Sequence, residues 1–179
     1  FFWHYTPIER RGLPLKDMDG PQRGLAFELL AAGLSTRGLD QARAIIDHEV
    51  TLGRIEREAC TVRWDRNPEL YYFTVFGEPG GKDPWAWRVE GHHISLNFSI
   101  WGDEIISATP FFFGANPAEV RKGPKSGLRI LGTREDLAFD LMESLDAGQR
   151  GKAIIYDEAP LDILTYNSSK VSLPREEGL

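Results

Sequence analysis

The chain has a single cysteine and no long apolar run. With Cys60 alone in 179 residues, the sequence excludes an internal disulfide framework and a cysteine-based zinc cluster. No uninterrupted apolar segment approaches the roughly 20 residues that a membrane-spanning helix needs, so no membrane span is predicted. Four familiar catalytic signatures are also missing, namely the Gly-x-Ser-x-Gly elbow, the phosphate-binding loop, the dinucleotide fingerprint and the His-Glu-x-x-His zinc helix.

An excess of positive charge is missing as well. The sequence holds 21 Lys and Arg against 27 Asp and Glu, which gives a formal net charge of −6 and a pI near 5.3. Nucleic-acid binding normally requires a concentrated basic surface, so no nucleic-acid partner is predicted. One local group of basic residues is most simply a solvated loop, and it consists of Arg121, Lys122, Lys125 and Arg129.

Length and composition predict one soluble globular domain over residues 1–179, because 41% hydrophobic content is enough to bury a sizeable core. The first residue is not methionine, so we expect a fragment of a longer chain. The compartment stays open, and a removed signal peptide is compatible with this start. Residues 1–16 are aromatic and punctuated by proline, which predicts an extended arm packed on the body.

Two helix starts precede the predicted sheet. Asp19 and Ser35 are residue types that cap helices, and the apolar spacing after them predicts a helical hairpin that ends near Gly53. Thr133 offers a similar start for a C-terminal helix through about Gln149. Asn116, followed by a proline, predicts a further short helix.

The middle of the chain changes to the pattern of strands. Residues 60–64 and 70–76 are predicted as a β-hairpin, residues 85–100 as one long strand, and residues 104–113 as its return strand. Helices before and after a central antiparallel sheet of at least four strands make an α+β fold.

Residues 91–100 place polar side chains inside this apolar region. If they form one strand, side chains alternate between faces, and His93 shares a polar face with Ser95 and Asn97 while His92 lies on the apolar face. The polar face predicts a cleft in which His93 accepts a proton or binds a metal. Adjacent strand residues point in opposite directions, so His92 and His93 share one metal only if a bulge at Gly91 turns one of them.

Glu49 lies on the apolar stripe of the second predicted helix. An unpaired buried charge is costly, so Glu49 either reaches water at the edge of the stripe or meets a partner. A histidine of the sheet would give a carboxylate–histidine pair that fixes one tautomer or completes a metal site. His4 is either a further ligand, if the arm folds over the sheet, or an exposed or stacked side chain.

Aromatic residues are more numerous than two hairpins require. Their simplest role is to fill the core, although indole rings at the mouth of a cleft would suit a sugar or an aromatic ligand. The group consists of Trp85, Trp87, Trp101, Phe111, Phe112 and Phe113.

Two motifs carry a resemblance to a known family. Residues 85–98 read WAWRVEGHHISLNF and residues 109–119 read TPFFFGANPAE. Together with the order of the other segments, they resemble the bacterial domain-of-unknown-function family 3500 over most of the chain. The resemblance implies no reaction. It implies only a family motif that includes Gly91, His92, His93, Asn97 and Asn116.

The leading hypothesis is a metal-dependent enzyme, specifically a hydrolase. His92 and His93, with Glu90 or Glu49, would hold a divalent ion such as zinc that activates water, and His93 and Glu49 would be the catalytic residues. The partner would be a small-molecule substrate, bound by Asn97, Trp87 and Asn116. Two alternatives stay open: a non-catalytic module that binds a small or carbohydrate ligand, and a structural or assembly protein. The oligomeric state is not indicated.

Overall fold

The computed structural model describes residues 3–163 and 166–168. In these residues the chain forms an α+β fold with four α-helices and a six-stranded antiparallel sheet. They fall into two compact units, residues 3–130 and the described residues from Leu131 onward. The expectation of a single domain stays a prediction. None of the described helices combines the length and apolarity that a membrane crossing requires.

Two helices open the first unit. Helix α1 covers Gly20–Ala32, and its N-terminus is closed by a capping box between Asp19 and Gln22. Helix α2 covers Thr36–Glu58, and the side chain of Ser35 accepts a hydrogen bond at its start. Both predicted caps are confirmed, but α2 continues beyond the predicted end at Gly53.

The sheet confirms the predicted antiparallel layer. Its order is β1-β2-β3-β4-β5, and β6 also pairs with β4. The strands are β1 (Leu13–Pro14), β2 (Tyr72–Phe76), β3 (Trp85–Gly91), β4 (Ile94–Trp101), β5 (Glu104–Ser107) and β6 (Phe111–Phe113). An exposed loop, residues 77–84, joins β2 to β3.

The single long strand predicted over residues 85–100 is wrong, because the chain reverses in its middle. Gly91 pairs with Ile94, and His92 and His93 form the two-residue turn between β3 and β4. His93 has φ 60°, a left-handed backbone conformation of the kind that tight turns use. The alternation of faces therefore begins only at Ile94, and the two histidines do not belong to it.

Two other local predictions are also wrong. Residues 60–64 form no strand, because β2 is already paired with β1 on one side and with β3 on the other. Residues 116–119 form bends rather than a helix. Tertiary contacts hold this segment, since the Pro117 carbonyl is bonded to the His48 ring.

The core of the first unit lies between helices α1 and α2 and one face of the sheet. The Trp87 ring stacks on Phe98 with 4.3 Å between ring centroids. A Cβ at Gly33 would lie 2.7 Å from the Phe98 ring, so only glycine lets the end of α1 approach so closely. The apolar face of β4 is buried and consists of Ile94, Leu96, Phe98 and Ile100.

The N-terminal segment runs along this unit without helix or strand before β1. Trp3 and Tyr5 are buried, and both of their rings contact Phe112 of β6. We call residues 3–11 the arm.

The second unit contains helix α3, Gly132–Ser144, and helix α4, Ala147–Ala153. The sequence predicted one helix through Gln149. The chain instead breaks at Leu145, because the Asp146 side chain caps a new helix.

Candidate functional site

The β3–β4 turn brings His92 against helix α2. His92 Nδ1 is hydrogen-bonded to Oε1 of Glu49. His92 is 8% exposed and Glu49 is 5% exposed. Glu49 is therefore not at the solvated edge of the helix, and its buried carboxylate has His92 as a partner.

Arg66 joins this pair to a second carboxylate. Its Nη1 lies 3.3 Å from His92 Nδ1 and 3.7 Å from Glu49 Oε2. Its Nε and Nη2 donate to the two oxygens of Glu56 at 2.9 and 2.7 Å. Burial alone would lower the pKa of Arg66, but the Glu56 hydrogen bond and the charge of Glu49 outweigh it and leave that pKa raised. The same hydrogen bond lowers the pKa of Glu56, so the charges stay in place.

Gly53 makes room for Arg66 on helix α2. Glu49, Gly53 and Glu56 follow one another at the spacing of a single helix face. A Cβ at Gly53 would lie 3.0 Å from Arg66 Cβ, tighter than ordinary contacts. From the sequence, Arg66 is predicted only as part of a hairpin turn. The spacing of Glu49, Gly53 and Glu56 is the signal that could have indicated its place in the site.

Tyr71 fixes the backbone of the turn. Its hydroxyl donates to the His92 carbonyl at 2.9 Å. Burial, with a contribution from the charge of Glu49, raises the pKa of Tyr71 well above its usual value, so the hydroxyl remains a donor. A Cβ at Gly91 would come within 2.2 Å of the Tyr71 ring. The glycine before the two histidines is therefore the residue that lets Tyr71 pack here.

His93 supports the turn from the other side. Its ring stacks on that of His92, with 4.0 Å between centroids. Its N–H donates to the Tyr5 carbonyl, and its own carbonyl accepts from the Gly114 N–H, both at 2.8 Å. Burial, and then the charges of His92 and Arg66, lower the pKa of His93 to about 3. His93 is therefore neutral near pH 7.

The half-buried imidazole of His93 makes stability depend on pH. The pKa of His93 falls from 6.5 to about 3 on folding, so between these values the unfolded chain binds a proton that the folded chain does not. The free energy of unfolding is therefore highest above pH 6.5 and decreases as the pH falls through this window. We expect a slope of up to about 1.4 kcal/mol per pH unit in the free energy of unfolding.

Urea denaturation between about pH 6.5 and about pH 5 measures this slope while most carboxylates stay ionised. The matched variant is His93→Asn, because asparagine also tolerates the left-handed backbone. The variant is expected to flatten the slope. An equal slope in both proteins would contradict the role of His93.

A cavity of about 310 Å³ borders the His92–Glu49 pair. The arm supplies residues 7–10 of its wall, and Tyr71 and Tyr72 line another side. With Nδ1 bonded to Glu49, the second ring nitrogen of His92, Nε2, forms no hydrogen bond within the part of the chain that the structure describes. Nε2 is thus the atom of the pair that remains for a bound molecule.

Arg10 anchors the arm at the edge of this cavity. Its guanidinium donates to the carbonyls of Ile8, Thr6, His4 and Gly91 at 2.6, 2.6, 3.0 and 3.1 Å. Burial lowers the pKa of Arg10, although the nearby Glu90 charge opposes this. The arm and the β3–β4 turn are therefore tied together by one side chain.

Other predicted site residues lie in a separate polar cluster. Glu90 accepts from Ser95 Oγ at 3.2 Å and from the His4 N–H at 3.4 Å, and it also pairs with Arg88. Asn97 donates to the Pro110 carbonyl at 2.8 Å. Glu90 is therefore not brought together with His92 and His93. Among the described residues, no group of three or more metal-ligating side chains is placed to hold an ion.

The remaining candidates do not line the cavity either. Trp87 is in the core, and Asn116 is exposed beside Pro117. The carbonyl of Pro117 is bonded to Nε2 of His48 at 3.1 Å, and burial lowers the pKa of that histidine. His4 closes a turn within the arm, because its Nδ1 accepts from the N–H groups of Tyr5 and Thr6.

A family model described as "Protein of unknown function (DUF3500)" matches residues 1–179. No curated protein and no solved structure matches the chain.

Proposed function

We propose a function from the site alone, because the chain belongs to the DUF3500 family and the description of that family names no activity. The proposed function is hydrolysis of a small polar substrate, with His92 as general base and Glu49 as the group that orients it. The observation that carries the proposal is the buried hydrogen bond between His92 and Glu49 at the wall of a cavity of about 310 Å³.

The pair has the parts that water activation requires. Because a carboxylate oxygen only accepts, the contact between Glu49 and Nδ1 assigns the ring proton to Nδ1 and leaves the lone pair on Nε2 of His92. Nε2 takes a proton as the water oxygen bonds to the electrophilic carbon of the substrate, and Glu49 stabilises the resulting imidazolium. Nε2 then returns the proton to the leaving group as its bond to carbon breaks. No covalent enzyme intermediate is needed.

The lining of the cavity supports a small polar substrate. Its volume is at the lower end of the range for ligand pockets. Side chains of both charge signs border it, namely Arg10 and Lys16 with Glu9 and Asp65. These groups offer hydrogen bonds to a polar molecule rather than an apolar wall.

The metal-dependent form of this hydrolase has less support. A cation held jointly by His92 Nδ1 and Glu49 would lie beside the Arg66 guanidinium, whose Nη1 is 3.3 Å from that nitrogen. Like charges at this distance repel strongly in a buried site. Elemental analysis of the natively purified protein beside His92→Ala tests this form, and one zinc per chain that is lost in the variant would establish it.

Loss of hydrolysis in two variants tests the proposal. We expect the parent to hydrolyse p-nitrophenyl acetate or butyrate, and His92→Gln and Glu49→Gln each to lower the rate by roughly 100-fold or more. Glutamine keeps the size of either side chain but removes the base or the orienting charge. The measurement is the initial rate of p-nitrophenol release.

Glu58→Gln is the matched control for Glu49→Gln. Glu58 lies on the same helix, is exposed, and pairs only with Arg54 among the described residues. Its variant should keep the parent rate. Equal rates in the parent and His92→Gln on every ester would contradict the proposal.

A non-catalytic binding module is the second candidate, and the same cavity is the observation in its favour. Its predicted aromatic cleft has no support at Trp87, which is buried in the core. A module would bind a small ligand without turnover. The third hypothesis, a structural or assembly protein, stays a prediction.

A further inference from the structure

Arg66 has two carboxylates within reach, the buried Glu49 and the half-buried Glu56, and its contacts with the two differ. Its Nε and Nη2 form a two-pronged contact with both oxygens of Glu56, at 2.9 and 2.7 Å. The remaining Nη1 lies 3.3 Å from His92 Nδ1 and 3.7 Å from Glu49 Oε2. His92 Nδ1 has a shorter contact to Oε1 of Glu49 than to this Nη1. A two-pronged contact between arginine and a carboxylate is stronger and more directional than a single one. Glu56 therefore fixes the orientation of the guanidinium.

That orientation matters because Arg66 and His92 compete for the same acceptor. Oε1 of Glu49 is hydrogen-bonded to Nδ1 of His92, and because a carboxylate oxygen only accepts, this contact assigns the ring proton to Nδ1. If the two prongs of Arg66 turned to Glu49 instead, both of its oxygens would be engaged by the guanidinium. His92 would lose its acceptor, and its ring proton would no longer be held on Nδ1.

The path of Arg66 supports the same assignment. The side chain is 8% exposed and passes over Gly53, where a Cβ would lie 3.0 Å from Arg66 Cβ. Glu49 and Glu56 flank this position on the helix face. Helix α2 therefore places one carboxylate acceptor on each side of Gly53, where the Arg66 side chain packs.

We propose that Glu56 is a positioning residue for the His92–Glu49 pair. By holding the two prongs of Arg66, Glu56 reserves Oε1 of Glu49 for His92, keeps the ring proton on Nδ1 and leaves the lone pair on Nε2. The catalytic consequence rests on the proposed hydrolase, whereas the tautomer of His92 does not.

Nitrogen-15 NMR of histidine-labelled protein at neutral pH tests this assignment directly. In the parent we expect His92 to be protonated at Nδ1 and not at Nε2. In Glu56→Gln we expect that pattern to be lost, and the rate on p-nitrophenyl acetate to fall about 10- to 100-fold, as is typical for residues that orient a functional histidine. A role in folding alone would not move the proton between the two nitrogens.

Glu58→Gln is again the matched control, because Glu58 is two residues away on α2 but contacts neither Arg66 nor His92 in the described structure. It should keep both the parent spectrum and the parent rate. A parent His92 protonated at Nε2 would overturn the proposal, and this result needs no variant to fold. A Glu56→Gln protein with the parent spectrum would overturn it equally.

Failure of the hydrolase proposal looks different. In that case the parent and His92→Gln hydrolyse the esters at the same rate, while the Nδ1–H pattern and its loss in Glu56→Gln still support the positioning role.

Discussion

Replacing Arg66 with methionine is expected to lower the free energy of unfolding by about 3–5 kcal/mol. The side chain is 8% exposed, and it lies between Glu49 and Glu56, whose side chains are 7% and 15% exposed. Methionine fills much of the same space but leaves two carboxylates with no guanidinium. An uncompensated buried charge costs more than the lost hydrogen bonds alone.

Urea denaturation at neutral pH measures the loss. Arg63→Met is the matched control, because Arg63 is exposed in the same connection between α2 and β2. Its effect should stay within about 0.5 kcal/mol. If Arg66→Met lost less than about 1 kcal/mol, the typical net value of a single hydrogen bond, the charge cluster would not stabilise the fold as described.

Replacing Gly91 with alanine is expected to cost about 3 kcal/mol, at the upper end for overpacking a core. The added Cβ would lie 2.2 Å from one ring carbon of Tyr71 and 2.4 Å from the next. Tyr71 is only 1% exposed, so its ring has no open space to enter. A shift of that ring would also break the hydrogen bond to the His92 carbonyl.

Gly24→Ala is the control for this second prediction. Gly24 lies inside α1, and a Cβ there would meet nothing within 4 Å. Alanine should therefore stabilise the protein by up to about 1 kcal/mol through helix propensity. Thermal and urea unfolding would show changes in stability of opposite sign for the two variants. Equal midpoints for the parent and Gly91→Ala would mean that the Tyr71 ring moves at little cost.

The helices and the layer type could be predicted because local chemistry decides them. Asp19 caps α1 through a side-chain bond to Gln22, three residues away, and Ser35 caps α2 in the same manner. The strands were harder to predict, because strand pairing depends on distant residues. The apolar and β-branched composition of residues 60–64 is typical of a strand. In the structure, however, β2 pairs with β1 and β3, and neither of its edges is left for residues 60–64.

The site was predictable only in part. A carboxylate on the apolar stripe of α2 required a buried partner, and His92 is close to it. The tight turn between β3 and β4 could not be seen, because the sequence has no asparagine or glycine at those two positions to indicate it. Alternation along an uninterrupted strand therefore gave the wrong faces to His92 and His93, and the metal site built on them has no group of ligands in the described residues.

The length of β3 has a practical consequence for labelling the protein. The exposed loop of residues 77–84 precedes β3, and the histidine turn follows it, so the 7 residues of this strand separate them. At the usual rise per residue the separation is about 23 Å. A fluorophore or an affinity tag inserted in that loop would sit clear of the cavity and would report on the intact protein without touching the residues under test.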